Sequence, residues 1–235
     1  MKSVHHSIES KFSIPKIPEQ LIPRPHLLHL LHDYKKKRMT LVSSPPGYGK
    51  TIAIAQWVET LVNAKTAWIS LDTNDDNPSL FFHYLIDAFN KLFPDSFSAI
   101  RNYIESMPVL HSKEIIVRFI SVLDTLSDTV VLIFDDYHVI EDVSIHEALH
   151  FFIKHKPETV HVCLVSRNDP PMPLRRFRVN DEMIEIRKHQ LKFSKNEMKL
   201  FFKNFNSVSG NENDLKLVRC KKRLLSRTFS LFASK

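Results

Sequence analysis

Glycine is far scarcer in this sequence than in most proteins. Its 235 residues include three, where the usual frequency of about 7% would give roughly sixteen. Gly47 and Gly49 stand two apart, and the third is Gly210. Glycines at those positions cannot spell the G-x-G-x-x-G of a dinucleotide-binding turn or the glycine-rich lid of a protein kinase. Collagen-like and glycine-rich linker compositions are excluded as well. Cysteine is scarcer still. Cys163 lies in an apolar run and Cys220 in a basic stretch, which provides neither a disulfide framework nor a zinc ribbon and fits a reducing, cytoplasmic setting. Long hydrophobic runs are also missing. The longest, Val130–Phe134, is far too short to span a bilayer, and Met1–Ser10 lacks the apolar core of a signal peptide.

What is present is ordinary for a globular protein: 43% hydrophobic and 25% charged residues. The net charge of +7 is unevenly spread. Residues 216–235 carry seven lysines and arginines and no acid, which leaves 26 basic against 26 acidic residues in the rest of the chain. The body is therefore neutral. A basic tail of this kind can bind phosphate backbones or an anionic membrane; the simpler expectation is a solvated, disordered end over 207–235.

Along the chain, prolines at 15, 18, 23 and 25 mark an extended lead-in over 1–25. A short apolar helix over His26–Tyr34 follows, and Lys35–Arg38 reads as a solvated turn. Strands are then expected at Met39–Ser43, Thr66–Leu71, Val130–Phe134, Thr159–Val165 and Met183–Ile186. Helices are expected at Lys50–Val62, from Asn77-Pro78 through Leu92, at Ser96–Glu105, Lys113–Leu126 and Ile145–His155, and at Leu191–Phe205 entered through Ser194 with Glu197 at capping-box spacing. The continuous apolar run Val130–Phe134 is what a strand buried on both faces looks like. Alternating strands and helices argue for an α/β fold, a parallel sheet covered on both faces.

Ser44-Pro45-Pro46-Gly47-Tyr48-Gly49-Lys50-Thr51 follows the first strand and opens a helix. It is the Walker A pattern of a P-loop with serine in place of the first glycine. Backbone N–H groups in such a loop point at phosphate oxygens, Lys50 would reach the β- and γ-phosphates, and the Thr51 hydroxyl would hold Mg²⁺. Asp135 and Asp136 end the buried strand. Asp135 would hold Mg²⁺, and Asp136 would polarise an attacking water. Arg167 ends another strand, where a fixed cation can read charge on a γ-phosphate.

These residues together resemble the large ATP-dependent LuxR-type transcriptional regulators related to MalT, which belong to the STAND class of P-loop NTPases (ASCE type). The resemblance runs from about Lys11 to about Phe202. It rests on Lys11-Phe12-Ser13-Ile14-Pro15, Leu21-Ile22-Pro23-Arg24-Pro25, the P-loop, Gln56-Trp57, and Trp68-Ile69-Ser70-Leu71-Asp72 with Asp76-Asn77-Pro78. It continues through Phe134-Asp135-Asp136-Tyr137-His138, Ile145–Leu149, Ser166–Pro171 and Leu191–Ser194. It implies a five-stranded parallel sheet of order 5-1-4-3-2 in an NTPase domain over 26–188, followed at 189–206 by the start of a winged helix. It implies ATP or ADP as ligand with Mg²⁺, Arg24 on the adenine side, Arg167 as γ-phosphate sensor, and self-association when ATP and an inducer are both bound, with ADP favouring a closed form.

Members of that family are several times longer and continue into an inducer-binding sensor and a DNA-reading helix-turn-helix. This sequence stops resembling them near Asn206, so a truncated regulator is expected, with slow turnover at most. An interaction fragment that pairs with a full-length relative, without hydrolysis, is an alternative, as is a degraded gene product. A further motif, His146-Glu147-Ala148-Leu149-His150, is formally the H-E-x-x-H of zinc metalloproteases, with Glu182 or Glu185 as a third ligand, and is a remote alternative.

Overall fold

The computed structural model describes residues 9–18, 21–107 and 111–200. Two compact units are distinguished: residues up to 17 with 24–192, and residues 18–23 with 193 onward.

The first unit is built on β1 (Met39–Ser43), β2 (Lys65–Ser70), β3 (Val130–Asp135), β4 (Val160–Ser166) and β5 (Met183–Arg187). All neighbouring pairs are parallel, in the order β2-β3-β4-β1-β5. This is the order the resemblance implied, read from the opposite edge. Strands β1, β3 and β4 are buried along their whole length, because helices cover both sides. Side chains alternate between the faces. Val130, Leu132 and Phe134 of β3 join one apolar cluster, while Val131 and Ile133 join the other.

The helices sort accordingly. On one face lie α1 (Pro25–Leu31) and α2 (Lys50–Glu59), contributing Leu27, Leu31, Ile54 and Trp57. On the other lie α3 (Pro78–Leu92), α4 (Ser98–Ser106), α5 (Ser112–Leu123) and α6 (Val143–His155). Phe119 sits at the centre of that layer, with ring centroids 4.9 Å from Phe89, 4.9 Å from Phe97 and 5.7 Å from Phe152. Two short helices, α7 (Arg175–Val179) and α8 (Lys188–Leu191), flank β5 and were not expected. The capping signals hold locally. Asn77 accepts from the Leu80 N–H at 3.1 Å and starts α3, and Asp142 accepts from Ser144 and Ile145 and starts α6.

Three segments differ from expectation. Lys35–Arg38 is a solvated turn only in its first half: Lys35 and Lys36 are exposed, whereas Lys37 pairs with Asp181 and Arg38 reaches the Lys154 carbonyl. The lead-in is pinned rather than merely extended. Lys11 Nζ lies 2.7 Å from Asp72 and 2.6 Å from the fully buried Asp75, and Phe12 packs edge-on against Tyr84. The stretch from Leu191 is not one helix. Leu191 ends α8 inside the core, and Lys192 is extended. A new helical segment, 195–200, starts in the second unit behind a Ser194–Glu197 capping box. Residues 201–205 of the expected helix and the basic tail lie outside the described residues. Among the described residues, no helix is long and apolar enough to cross a membrane.

Candidate functional site

In an open parallel sheet, ligands bind beyond the carboxyl ends of the strands. That is where the predicted residues meet. Strand β4 lies between β1 and β3, so the P-loop, which follows β1, and Asp135, which ends β3, flank the Ser166–Arg167 end of β4. The Ser44 N–H donates to the Ser166 carbonyl at 3.3 Å and fixes the start of the loop against β4. Ser44 itself is buried, so the small side chain in place of the first glycine is accommodated. Pro45 and Pro46 are exposed, and Tyr48 packs partly against the α2 face.

Gly47 and Gly49 take φ of +86° and +71°, and a Cβ built on either would meet no atom within 4 Å. The glycines are therefore required by the left-handed backbone and not by crowding within the protein. Among the described residues, the Gly47 and Gly49 N–H groups have no partner in the chain, and Gly49 leads directly into α2, whose N-terminus favours an anion.

Lys50 is buried and donates to the carbonyls of Ser44 at 2.8 Å and Pro45 at 3.3 Å. Burial holds its ammonium below the usual lysine range, with Asp136 opposing that shift and Arg167 adding to it. The Thr51 hydroxyl donates to Asp135 Oδ1 at 3.0 Å. Burial, reinforced by the Asp136 charge, pushes the Asp135 carboxyl up to about 6. A hydroxyl and a carboxylate held together at the start of α2 are hard oxygen donors that suit Mg²⁺ bound by few protein ligands. The bound ion would supply positive charge next to the β- and γ-phosphates. Asp136 sits at φ +57°, a conformation that costs energy for a non-glycine residue and clusters at functional turns. Arg167 is exposed and lies close enough to act on both Lys50 and His138.

Sequence reasoning missed His138. Its Nδ1 is buried without a hydrogen bond, 3.6 Å from an Asp136 carboxylate oxygen. Burial first, then the Arg167 and Lys50 charges, lower its basicity. Its place one residue beyond Tyr137 in the strand-end run was the only available signal. Also missed was the cluster beside β5, where Arg178 and Arg187 pair with Asp169 and Glu185.

Arg24 stands at the start of α1. Its guanidinium is buried and donates to the carbonyls of Leu191 at 2.9 Å, Lys192 at 3.2 Å and Gln190 at 3.4 Å. It ties the start of α1 to the end of α8, the segment that follows the strand next to β1. The H-E-x-x-H residues lie on α6 with His146 turned to Tyr137, its Nδ1 2.7 Å from the phenol oxygen. Among the described residues, no group of three or more His, Cys, Asp or Glu side chains is arranged to hold a metal.

Over 200 residues, 83% of its length, the chain is 36% identical to the HTH-type transcriptional regulator MalT of Vibrio cholerae, and it covers 21% of that protein. It is 33% identical over 195 residues to MalT of Klebsiella pneumoniae, again with 83% and 21% covered. The chain thus spans about a fifth of the length of the curated relatives it matches. No protein-family model matches it. Among solved structures, the Walker-type ATPase paby2304 of Pyrococcus abyssi aligns with a TM-score of 0.50 at 13% identity. The match covers 84% of this chain and 62% of that one and shows a shared P-loop NTPase fold.

Proposed function

We propose, starting from a chain homologous to the MalT-type transcriptional regulators over 83% of its length, that its P-loop binds ATP or ADP with Mg²⁺ and serves as a nucleotide switch in transcription control. The observation that carries this reading is the Thr51–Asp135 contact at the mouth of a loop whose two glycines hold open space before them.

In this reading Lys50 leaves the Ser44 and Pro45 carbonyls for the β- and γ-phosphates. Thr51 and Asp135 hold Mg²⁺, and the loop N–H groups bind phosphate oxygens. Asp136 accepts a hydrogen bond from the attacking water and orients it. Arg167 lies across from it, against the γ-phosphate, so it distinguishes triphosphate from diphosphate. Arg24 shapes the adenine side indirectly, by fixing the α8 segment. Such a device signals by which nucleotide is bound, and its turnover is slow.

Titration with a fluorescent ADP analogue tests this. Lys50→Ala removes charge-assisted contacts that contribute about 1.5–3 kcal/mol each, so affinity should fall by about tenfold or more. Equal affinity in wild type and variant would defeat the assignment.

A further inference from the structure

The nucleotide reading leaves one cavity unused. It holds about 950 Å³, enough for a small organic ligand. It lies on the sheet face covered by α3, α5 and α6, away from α2, and is walled by the first turns of α3 and α5, one side of α6 and the Pro171–Pro173 loop.

Its lining has a consistent chemistry. Among the described residues, Lys113 and Lys154 line it against a single carboxylate, Glu147. The 12-residue helix α5 opens on it with no side-chain cap at His111; the Glu114 N–H already donates to the His111 carbonyl, and the Ser112 and Lys113 N–H groups remain available to an anion. His146, 3% exposed, is also part of the wall. Burial lowers its basicity, opposed by a hydrogen bond to the Ile140 backbone and by the Asp76 and Asp142 charges. Its Nδ1 is paired to the Tyr137 phenol oxygen at 2.7 Å, and its Nε2 is buried on the side of the Ile140 backbone. Phe151 and Met172 supply apolar surface, and Lys113 Nζ stands 5.0 Å from the Phe151 ring centre.

We infer that this cavity is a second ligand site, for a small organic anion with a phosphate or carboxylate head and an apolar body. Its place in the fold gives it a lever on the nucleotide site. His146 holds Tyr137, and Tyr137 directly follows Asp136, whose backbone is already in a left-handed conformation. Asp76, next to the α3 cap, accepts the N–H groups of Glu141 and Asp142 at 2.9 and 2.8 Å and so ties the cavity's α3 wall to the segment after that turn. A ligand that shifts His146 shifts the Asp136 turn. The site stands without the nucleotide assignment, whereas the lever rests on it.

The test uses the full chain with phenyl phosphate and phenylacetate as probes and inorganic phosphate and phenol as controls, followed by calorimetry and NMR. Measurements are made in wild type saturated with Mg-ADP and in Lys50→Ala, so that binding at the P-loop is not mistaken for binding here. The expected result is saturable 1:1 binding of at least one probe in both backgrounds, tighter than either control. It should weaken by about tenfold or more in Lys113→Gln/Lys154→Gln, with a thermal melt of the double variant separating lost binding from lost folding. No saturation by either probe, or binding indifferent to the lysine pair, overturns the site. Saturating probe should change ADP affinity at least threefold in wild type and not in Tyr137→Phe; an unchanged affinity in wild type overturns the lever. If no nucleotide binds at all, the Lys50→Ala titration still decides the site.

Discussion

Asp135 shows how one residue can be costly to the fold and useful to the site. Its carboxyl is pushed from 3.8 up to about 6 by burial and by Asp136. A raised value in the folded state means that protonation favours folding. The contribution is fully present below about 3.8 and is lost as pH rises through about 6. In metal-free buffer the protein should therefore lose stability between about pH 4 and 6. Asp135→Asn should remove that dependence and be more stable at pH 7.5 by about 1–3 kcal/mol, while losing Mg²⁺-dependent nucleotide affinity. Thermal melts across that range check it. Thr40 illustrates the opposite balance. Its hydroxyl lies 2.9 Å from Nε2 of the fully buried His161, whose other nitrogen lies 3.0 Å from the Lys37 carbonyl. Thr40→Val keeps the β-branched shape but orphans that nitrogen, so urea titration should show a loss of about 1–3 kcal/mol.

At the scale of elements, the P-loop and the turn after β3 carry the strain. Gly49 is the N-cap of α2 at φ +71° with open space where a Cβ would go. Gly49→Ala should therefore fold with an unchanged sheet. It should pay about 1–2 kcal/mol in stability for the left-handed backbone alone and bind nucleotide more weakly, because a methyl now occupies the phosphate cradle. Circular dichroism and denaturant melts separate that outcome from a steric collapse. The helical layer of α3 to α6 is rigid by contrast, since its phenylalanines interlock around Phe119. A rigid layer beside a strained turn is what allows a cavity in that layer to act on the turn.

At the scale of the whole molecule, the sheet order decides the site. Residues 44–51, 135–136 and 166–167 are far apart in sequence, and they converge because β4 inserts between β1 and β3. The layer that fixes β3 and β4 from one side depends on Phe119, fully buried among three other rings. Phe119→Ala should cost about 3–5 kcal/mol in urea unfolding and release the β3 end enough to weaken nucleotide binding. Much of this arrangement was legible beforehand. The apolar run Val130–Phe134, the alternation of strands and helices and the capping residues Asn77 and Ser194 are local signals, and local signals survive into the fold. What escaped was non-local. Lys11 looked like part of a free lead-in until the fold brought Asp72 and Asp75 to it, and Lys37 and Arg38 looked solvated until Asp181 and the Lys154 carbonyl met them.

The sequence by itself determined the class of protein and its phosphate loop. In a chain with three glycines, the pair at 47 and 49 falls where the backbone must turn left-handed before a helix, and no other residue adopts that conformation so cheaply. Only the tertiary structure decided which distant groups share a surface: that His138 stands beside Asp136, that Arg24 clamps α8, and that His146 links a cavity to the Asp136 turn. Periodicity and motif spacing report what lies within a few residues of a position. Side-chain partners across the sheet are set by strand order and helix packing, which no single segment encodes.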